Sequence, residues 1–345
     1  MKVILNNHRE EYAIREIINA FFPKMIIEFV TAPEFSEDYI LSEYSKSSHL
    51  HKYACRAIVD GKAYEYELTG DSFNKNNLKK SVYEVLKRAT GINLPWGILT
   101  GIRPSKIVRE YRKNGGDGPE NYLVSEYYTS KEKASLAMCV EKNETVHIEN
   151  RYTDGISLYV GIPFCPTRCL YCSFTSQSLA FSNKLTVPYV EALKKEIIEI
   201  SKMNYIRSNR IETVYFGGGT PTALSAEQID EILKCLYDNF DLSYLKEITF
   251  EAGRPDTIDE NKLEVLLNYG IERICINPQT LSDKTLELIG RKHTSEEFYE
   301  KFQLARKMGF NHINCDIIAG LPDETNSDFS NTLTSLIKLN FLSHP

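Results

Sequence analysis

The 345-residue chain has a single tryptophan, five methionines and seven histidines. No stretch of it approaches the ~20 consecutive apolar residues that a membrane-crossing helix requires. Each scarcity excludes something. Without long apolar runs, no membrane span is expected. The formal net charge is only −6, so no broad basic field exists to hold a nucleic acid. The opening residues, Met1 to His8, read as a strand turning into a polar loop and lack the apolar core and small-residue cleavage site of a secretory signal. Eight cysteines without an export signal imply a reducing, cytoplasmic setting rather than a disulfide framework. Histidine is missing where it would matter most, since none flanks the cysteines described next.

Cys165, Cys169 and Cys172 fall within eight residues, spaced CxxxCxxC. Thiolates are soft ligands that favour iron–sulfur clusters or zinc. A closed zinc site takes four ligands, usually as two separated pairs, and the next cysteine, Cys235, is far along the chain. Three thiolates on a four-iron cluster leave one iron open to a small molecule. Zinc, or three buried inert thiols, are the alternatives. The other cysteines, Cys55, Cys139, Cys235, Cys275 and Cys315, are scattered, mostly in apolar stretches, and read as core filler. Residues 157–164 run apolar like a strand directly into Cys165. The triplet is therefore expected at the carboxyl end of that strand, where parallel α/β barrels carry their active sites.

Residues 1–150 read as a small α/β domain. Strands are expected at 3–5, 25–30, 53–59 and 62–68, the last two joined by the hairpin signal Asp60-Gly61. Helical spacing covers 10–22, 76–89 and 130–142. Tyr12, Tyr39, Tyr44, Tyr53, Tyr64 and Tyr66 suggest half-buried sheet and surface positions. The stretch from Trp96 to Lys106 reads as a turn into a helix, with an anion-binding turn as the alternative, and Gly115 to Pro119 as a breaker. From residue 151 the pattern alternates, with strands at 157–162, 212–216, 247–251, 272–277 and 312–318. Helices are expected at 187–203, 226–239, 259–268, 283–288, 295–308 and 327–339. Such alternation implies parallel strands with right-handed crossovers. Gly217-Gly218-Gly219-Thr220 follows the second strand, and glycines there let the backbone approach a ligand closely.

CxxxCxxC after a strand resembles the signature of the radical S-adenosylmethionine enzymes. The longer run Tyr159-Val160-Gly161-Ile162-Pro163-Phe164-Cys165 is similar to the oxygen-independent coproporphyrinogen III oxidase (coproporphyrinogen dehydrogenase) family. The resemblance implies an α/β fold: a partial (β/α)6 radical-SAM TIM-like barrel, C-terminally truncated, preceded by a small α/β N-terminal domain. Five of six strands are visible, and the sixth would begin near Leu342 to Pro345. The resemblance also implies a 4Fe–4S cluster on the three cysteines. S-adenosyl-L-methionine would be bound by Tyr159, Tyr171, Gly218, Gly219, Thr220, Glu251, Gln279, Arg291 and Asp316. The implied activity is conversion of coproporphyrinogen III propionates to vinyl groups, giving protoporphyrinogen IX. The implied partners are a porphyrinogen substrate and a reductant such as flavodoxin or ferredoxin. Arg103, Arg168, Arg254 and Arg291 are candidate cations for the propionates.

The match departs from the family in two places. Phe174 stands where those dehydrogenases carry a fourth cysteine, and Gly161 where they carry histidine before Ile-Pro. Phenylalanine at the first position also occurs in the heme chaperones of the family, which keep the histidine and lack an N-terminal extension. A heme-binding delivery protein is thus the alternative to a radical enzyme on porphyrinogen.

Overall fold

The computed structural model describes residues 1–32 and 38–339, with only the backbone of Glu149. The chain divides into two compact units, Met1–Asn150 and Arg151–Pro345.

In the first unit the elements run β1 (Lys2–Asn6), α1 (Glu11–Phe21), β2 (Glu28–Phe29), β3 (Tyr39–Ser47), β4 (Leu50–Val59), β5 (Lys62–Gly70), α2 (Lys75–Thr90), α3 (Pro104–Lys113), α4 (Pro119–Tyr127) and α5 (Lys131–Glu149). The sheet order is β2-β1-β3-β4-β5, with β1 parallel to both neighbours and β3-β4-β5 an antiparallel meander. Asp60 and Gly61 turn the β4–β5 hairpin with φ of 50° and 69°, the left-handed pair that a tight hairpin needs. Helices α1 and α2 lay Ile14, Ile17, Ile18, Leu78, Val82 and Leu86 on the sheet residues Val3, Ile40 and Tyr53. Gly97 closes the turn before α3; a Cβ there would lie 2.0 Å from the Tyr127 carbonyl oxygen at φ +56°, so only glycine fits. The strand expected at 25–30 shrinks to two residues, β3 was not anticipated, and α5 runs past 142 to Glu149. Tyr53 is fully buried whereas Tyr12 is exposed.

The second unit continues β6 (Gly155–Ile162), β7 (Phe164–Cys165), β8 (Gln177–Ser178), α6 (Leu179–Ser182), α7 (Thr186–Ser201), α8 (Asn204–Arg207), β9 (Arg210–Gly218), α9 (Ala226–Asn239), β10 (Glu247–Glu251), α10 (Glu260–Asn268), β11 (Arg273–Cys275), α11 (Asp283–Leu288), α12 (Ser295–Met308), β12 (His312–Asn314) and α13 (Asn326–Lys338). Its sheet is all parallel, in the order β12-β11-β10-β9-β6. The five strands of the sheet are short and largely apolar at their centres, and five of the helices that follow them carry their own start signal. Ser225 and Thr325 form capping boxes with Gln228 and Asp328, and Asp259, Ser282 and Thr294 cap α10, α11 and α12. Val214, Phe216, Ile248, Phe250, Ile274 and Ile313 from the strands pack with Ile229, Leu233, Leu266, Phe298 and Phe302 from the helices. Among the described residues the sheet is an open arc of five strands and no barrel closes. The sixth strand expected near Leu342 to Pro345 lies outside the described residues. Two strands are shorter than expected: β11 keeps Arg273–Cys275 of 272–277, and β12 keeps His312–Asn314 of 312–318. Beyond β12 the pairing resumes only as an isolated bridge between Gln279 and Ile317.

Candidate functional site

The carboxyl ends of these parallel strands gather the residues singled out in the sequence. β6 ends at Ile162, and the chain passes Pro163 into β7, which carries Cys165. β9 runs two residues beyond expectation, into Gly217 and Gly218. The Gly219 N–H donates to the Ile162 carbonyl at 2.8 Å and the Thr220 N–H to that of Phe164 at 2.8 Å, so the glycine run is stitched to the strand leading into the cysteines. The glycines are needed for that closeness. A Cβ on Gly219 would lie 2.6 Å from the Phe164 carbonyl oxygen and 2.9 Å from Cys165 Sγ. Gly218, at φ +110°, would meet the Ile162 backbone at 3.0 Å. The close approach is thus to the cysteine strand itself. The Thr220 hydroxyl lies 3.5 Å from Cys165 Sγ.

Cys169 and Cys172 follow on a loop held from several sides. The Leu170 N–H donates to the Ile289 carbonyl at 3.0 Å, the Thr167 hydroxyl to that of Gly290 at 3.1 Å and the Ser178 hydroxyl to that of Pro166 at 3.2 Å. The composition of this loop suggests exposure, yet Cys169 is buried; Cys165 and Cys172 are partly so. Of the remaining cysteines Cys55 and Cys275 are core residues, Cys235 and Cys315 are half-buried, and Cys139 is exposed rather than core filler.

Arg254, raised above as a cation for substrate carboxylates, is not available for that role. It is 2% exposed. Its Nε and Nη2 donate to the two carboxylate oxygens of Asp256 at 2.9 and 3.0 Å. Its Nη1 lies 3.6 Å from Cys169 Sγ, and both Nη1 and Nη2 reach the Thr167 hydroxyl at 3.3 Å. Arg168, by contrast, is exposed.

Further along the strand ends, the Tyr215 hydroxyl donates a short bond of 2.5 Å to Glu251. Burial pushes the Glu251 carboxyl above its usual range, the Tyr215 bond opposes this, and Asp316 reinforces it. Tyr159 stacks on Tyr215 with centroids 5.9 Å apart and rings 10° from parallel, and its own ring is largely exposed. Gln279 holds φ +66°, uncommon for a residue with a side chain, with its N–H on the Asp316 carbonyl at 3.0 Å and its carbonyl taking the Ile318 N–H at 2.9 Å. Strained backbone of this kind persists where surrounding bonds fix it and is concentrated at functional sites. Asn277 links the neighbours: its carbonyl accepts from Arg291 Nη1 at 2.5 Å, and its side-chain oxygen accepts the Asp316 N–H at 3.0 Å. Arg291 is buried, and its Nε has no partner among the described residues. Tyr171 stands near Arg291 and Cys169; burial pushes its phenol up to about 12, and the Arg291 charge pulls the other way. His293 is buried alongside, its pKa drawn down to about 4 by burial and then by Arg291. Tyr215, Arg254, Asp256 and His293 were not anticipated in these roles. The only signal for them was proximity in sequence to a strand end or to Arg291.

The residues present fit an iron–sulfur cluster. The donor set is three soft thiols, one on β7 and two on the loop that follows it, beside a glycine whose missing side chain leaves room against Cys165. Among the described residues no three histidine, cysteine or carboxylate side chains converge on the position of a single ion. A cluster does not ask for such convergence, because each thiolate binds a different iron.

The family model described as "Radical SAM superfamily" matches residues 159–336. The Bacillus subtilis oxygen-independent coproporphyrinogen-III oxidase-like protein HemZ is 39% identical over 270 residues, 77% of this chain and 54% of that protein. The heme chaperone HemW of Lactococcus lactis is 34% identical over 169 residues, 49% of this chain and 42% of the chaperone. The Escherichia coli oxygen-independent coproporphyrinogen III oxidase is 31% identical over 185 residues, 54% of this chain and 40% of the oxidase. The solved structure of the coproporphyrinogen III oxidase HemN from Escherichia coli aligns over 57% of this chain and 44% of its own, at 30% identity and a TM-score of 0.49. The chain spans about half the length of the curated relatives it matches.

Proposed function

Because this chain belongs to the radical SAM superfamily, we propose that it is a radical enzyme of porphyrin metabolism that oxidatively decarboxylates coproporphyrinogen III propionates to vinyl groups. Its cofactors are those of the superfamily, a 4Fe–4S cluster and S-adenosylmethionine. The chemistry they supply when bound is reductive cleavage of the sulfonium carbon–sulfur bond, giving a carbon radical that takes a hydrogen atom from substrate; the substrate would then lose carbon dioxide and pass its one remaining electron to a one-electron acceptor, leaving the vinyl group. The rest falls to the protein.

In this reading Cys165, Cys169 and Cys172 hold the cluster. Gly218, Gly219 and Thr220 support the cysteine strand and, with Tyr159 and Tyr171, line the S-adenosylmethionine space. Glu251 accepts hydrogen bonds from the cofactor's hydroxyl or ammonium groups, oriented by Tyr215. Arg291, between α11 and α12, offers a buried cation and Asp316, just past β12, an exposed carboxylate, the two tied together through Asn277. Arg168 remains as a solvent-facing cation for propionates. The porphyrinogen, a flavodoxin- or ferredoxin-like reductant and a reducing cytoplasmic setting go with this reading.

One observation carries it. The match to the coproporphyrinogen-III oxidase-like protein is 270 residues long, longer than the whole second unit, and so reaches into the first. The matches to the heme chaperones and to the Escherichia coli oxidase alike cover 49–54% of the chain, so the first unit is what joins this chain to the oxidase-like relative. A second reading, heme delivery, is favoured by Phe174 at the fourth-cysteine position and by those same relatives. Anaerobic incubation with coproporphyrinogen III, dithionite and S-adenosylmethionine separates the two. Vinyl products support the enzyme; stoichiometric heme uptake without turnover supports the chaperone.

A further inference from the structure

Arg254 is a charged side chain buried to the last few per cent, and the reading above gives it no task. Its surroundings are specific. One edge of the guanidinium, Nε and Nη2, is fixed in two-pronged fashion by Asp256. The remaining nitrogen, Nη1, points the opposite way and donates to Cys169 Sγ at 3.6 Å, within range for a bond to sulfur. The Thr167 hydroxyl steadies Nη1 and Nη2 from the cysteine loop and itself donates to Gly290, closing the network. Burying an arginine is costly unless its hydrogen bonds are met. Here they are met by one carboxylate behind and by the cysteine loop in front. The carboxylate thus sits on one edge of the guanidinium and the Cys169 sulfur on the other, so the pair presents its positive side to that sulfur.

We propose that Arg254 is a positioning residue that sets the reduction potential of the cluster, by donating to the Cys169 sulfur and holding a fixed positive charge beside it. The proposal rests on the assignment of the three cysteines as cluster ligands. Hydrogen bonds to ligand sulfurs and local net charge are among the terms that fix the potential of an iron–sulfur cluster. A reduced cluster carries one more negative charge than an oxidised one, so a nearby cation and an N–H···S bond both favour reduction. Asp256 acts through Arg254, by orienting it.

The test is a redox titration of the anaerobically reconstituted full chain, followed by electron paramagnetic resonance, with iron and sulfide measured on the same samples. Arg254→Gln is expected to retain its iron and to shift to a more negative midpoint. At a fixed poise near the wild-type midpoint, the ratio of reduced to oxidised cluster should fall about tenfold, equivalent to about 59 mV for one electron. Arg254→Lys, which keeps the charge, should recover most of that shift. If Arg254→Gln loses the cluster, retention of cluster and potential in Arg254→Lys still supports the proposal. An unmoved midpoint in Arg254→Gln with full iron content overturns it, as does loss of the cluster in both variants, which marks a purely structural role. Failure of the wild-type chain to bind a cluster would instead overturn the ligand assignment.

Discussion

Adding one methyl group at Gly219 probes the site at its narrowest point. The Cβ of Gly219→Ala would be placed 2.6 Å from the Phe164 carbonyl oxygen, 2.9 Å from Cys165 Sγ and 3.0 Å from the Phe164 carbonyl carbon. Two of these three atoms are backbone, so no side-chain rotation relieves the clash. The strand carrying Cys165 and the glycine run must move apart, at the expense of the two 2.8 Å hydrogen bonds that join them. Overpacking of this kind costs about 1–3 kcal/mol, and for a unit of this size about 2 kcal/mol lowers Tm by roughly 4–8 °C. Gly161 supplies the control: a Cβ there meets only Tyr159 Cε1, at 3.4 Å. Gly161→Ala is expected to keep its Tm within about 2 °C, since a tolerated substitution changes stability by at most ~0.5 kcal/mol. Differential scanning fluorimetry and iron content after anaerobic reconstitution measure both consequences. Gly219→Ala should melt lower and bind less iron, whereas Gly161→Ala should match the wild type. Equal Tm and equal iron in the two variants would refute the argument that the glycine run braces the cysteine strand.

Three further outcomes follow from the same structure. Glu212 is 1% exposed and takes bonds from Lys246 Nζ, Arg151 Nε and the Tyr152 N–H at 2.5, 3.1 and 3.1 Å. Glu212→Ala should therefore cost about 2 kcal/mol in urea denaturation. Burial alone would raise the Glu212 carboxyl, but these donors hold it below 4.5, so its contribution is present above that pH and fades as pH falls further. The gap between wild type and Glu212→Gln should accordingly narrow in acid. For His293 the folded pKa is depressed to about 4 from 6.5, so the wild type should lose stability as pH drops through that interval and His293→Gln should lose less. At the proposed cofactor site, Tyr215→Phe removes the bond that lowers the Glu251 carboxyl. S-adenosylmethionine binding by equilibrium dialysis should then require a higher pH, while Glu251→Ala weakens it about tenfold or more at all pH values.

Much of the second unit was legible because its signals are local. Alternation of short apolar strands with capped amphipathic helices is written in consecutive residues, and the cysteine spacing needs no partner elsewhere. The Asp60-Gly61 hairpin was readable for the same reason, since both residues tolerate positive φ. β3 was missed because the stretch from Tyr39 to Ser47 buries only Ile40 and Ser42 and is polar along most of its length. β11 and β12 came out short because polar residues such as Asn277 and Asp316 leave the ladder to bond one another instead. The site partners least visible in sequence are those whose meaning depends on distance along the chain. Arg254 meets Thr167 and Cys169 across more than eighty residues. A proline-flanked arginine after a strand looks like a solvated cation, and nothing local announces its burial. Tyr215 likewise reads as an ordinary strand tyrosine until Glu251 is brought alongside by the β9–β10 pairing.

The claim on which all of this turns is that Cys165, Cys169 and Cys172 bind three irons of a cluster and leave the fourth to S-adenosylmethionine. Mössbauer spectroscopy of anaerobically reconstituted protein, recorded before and after adding S-adenosylmethionine, addresses it directly. One iron of four should change its isomer shift on addition while the other three hold theirs. Zinc in place of iron, or four irons unmoved by the ligand, would contradict the account.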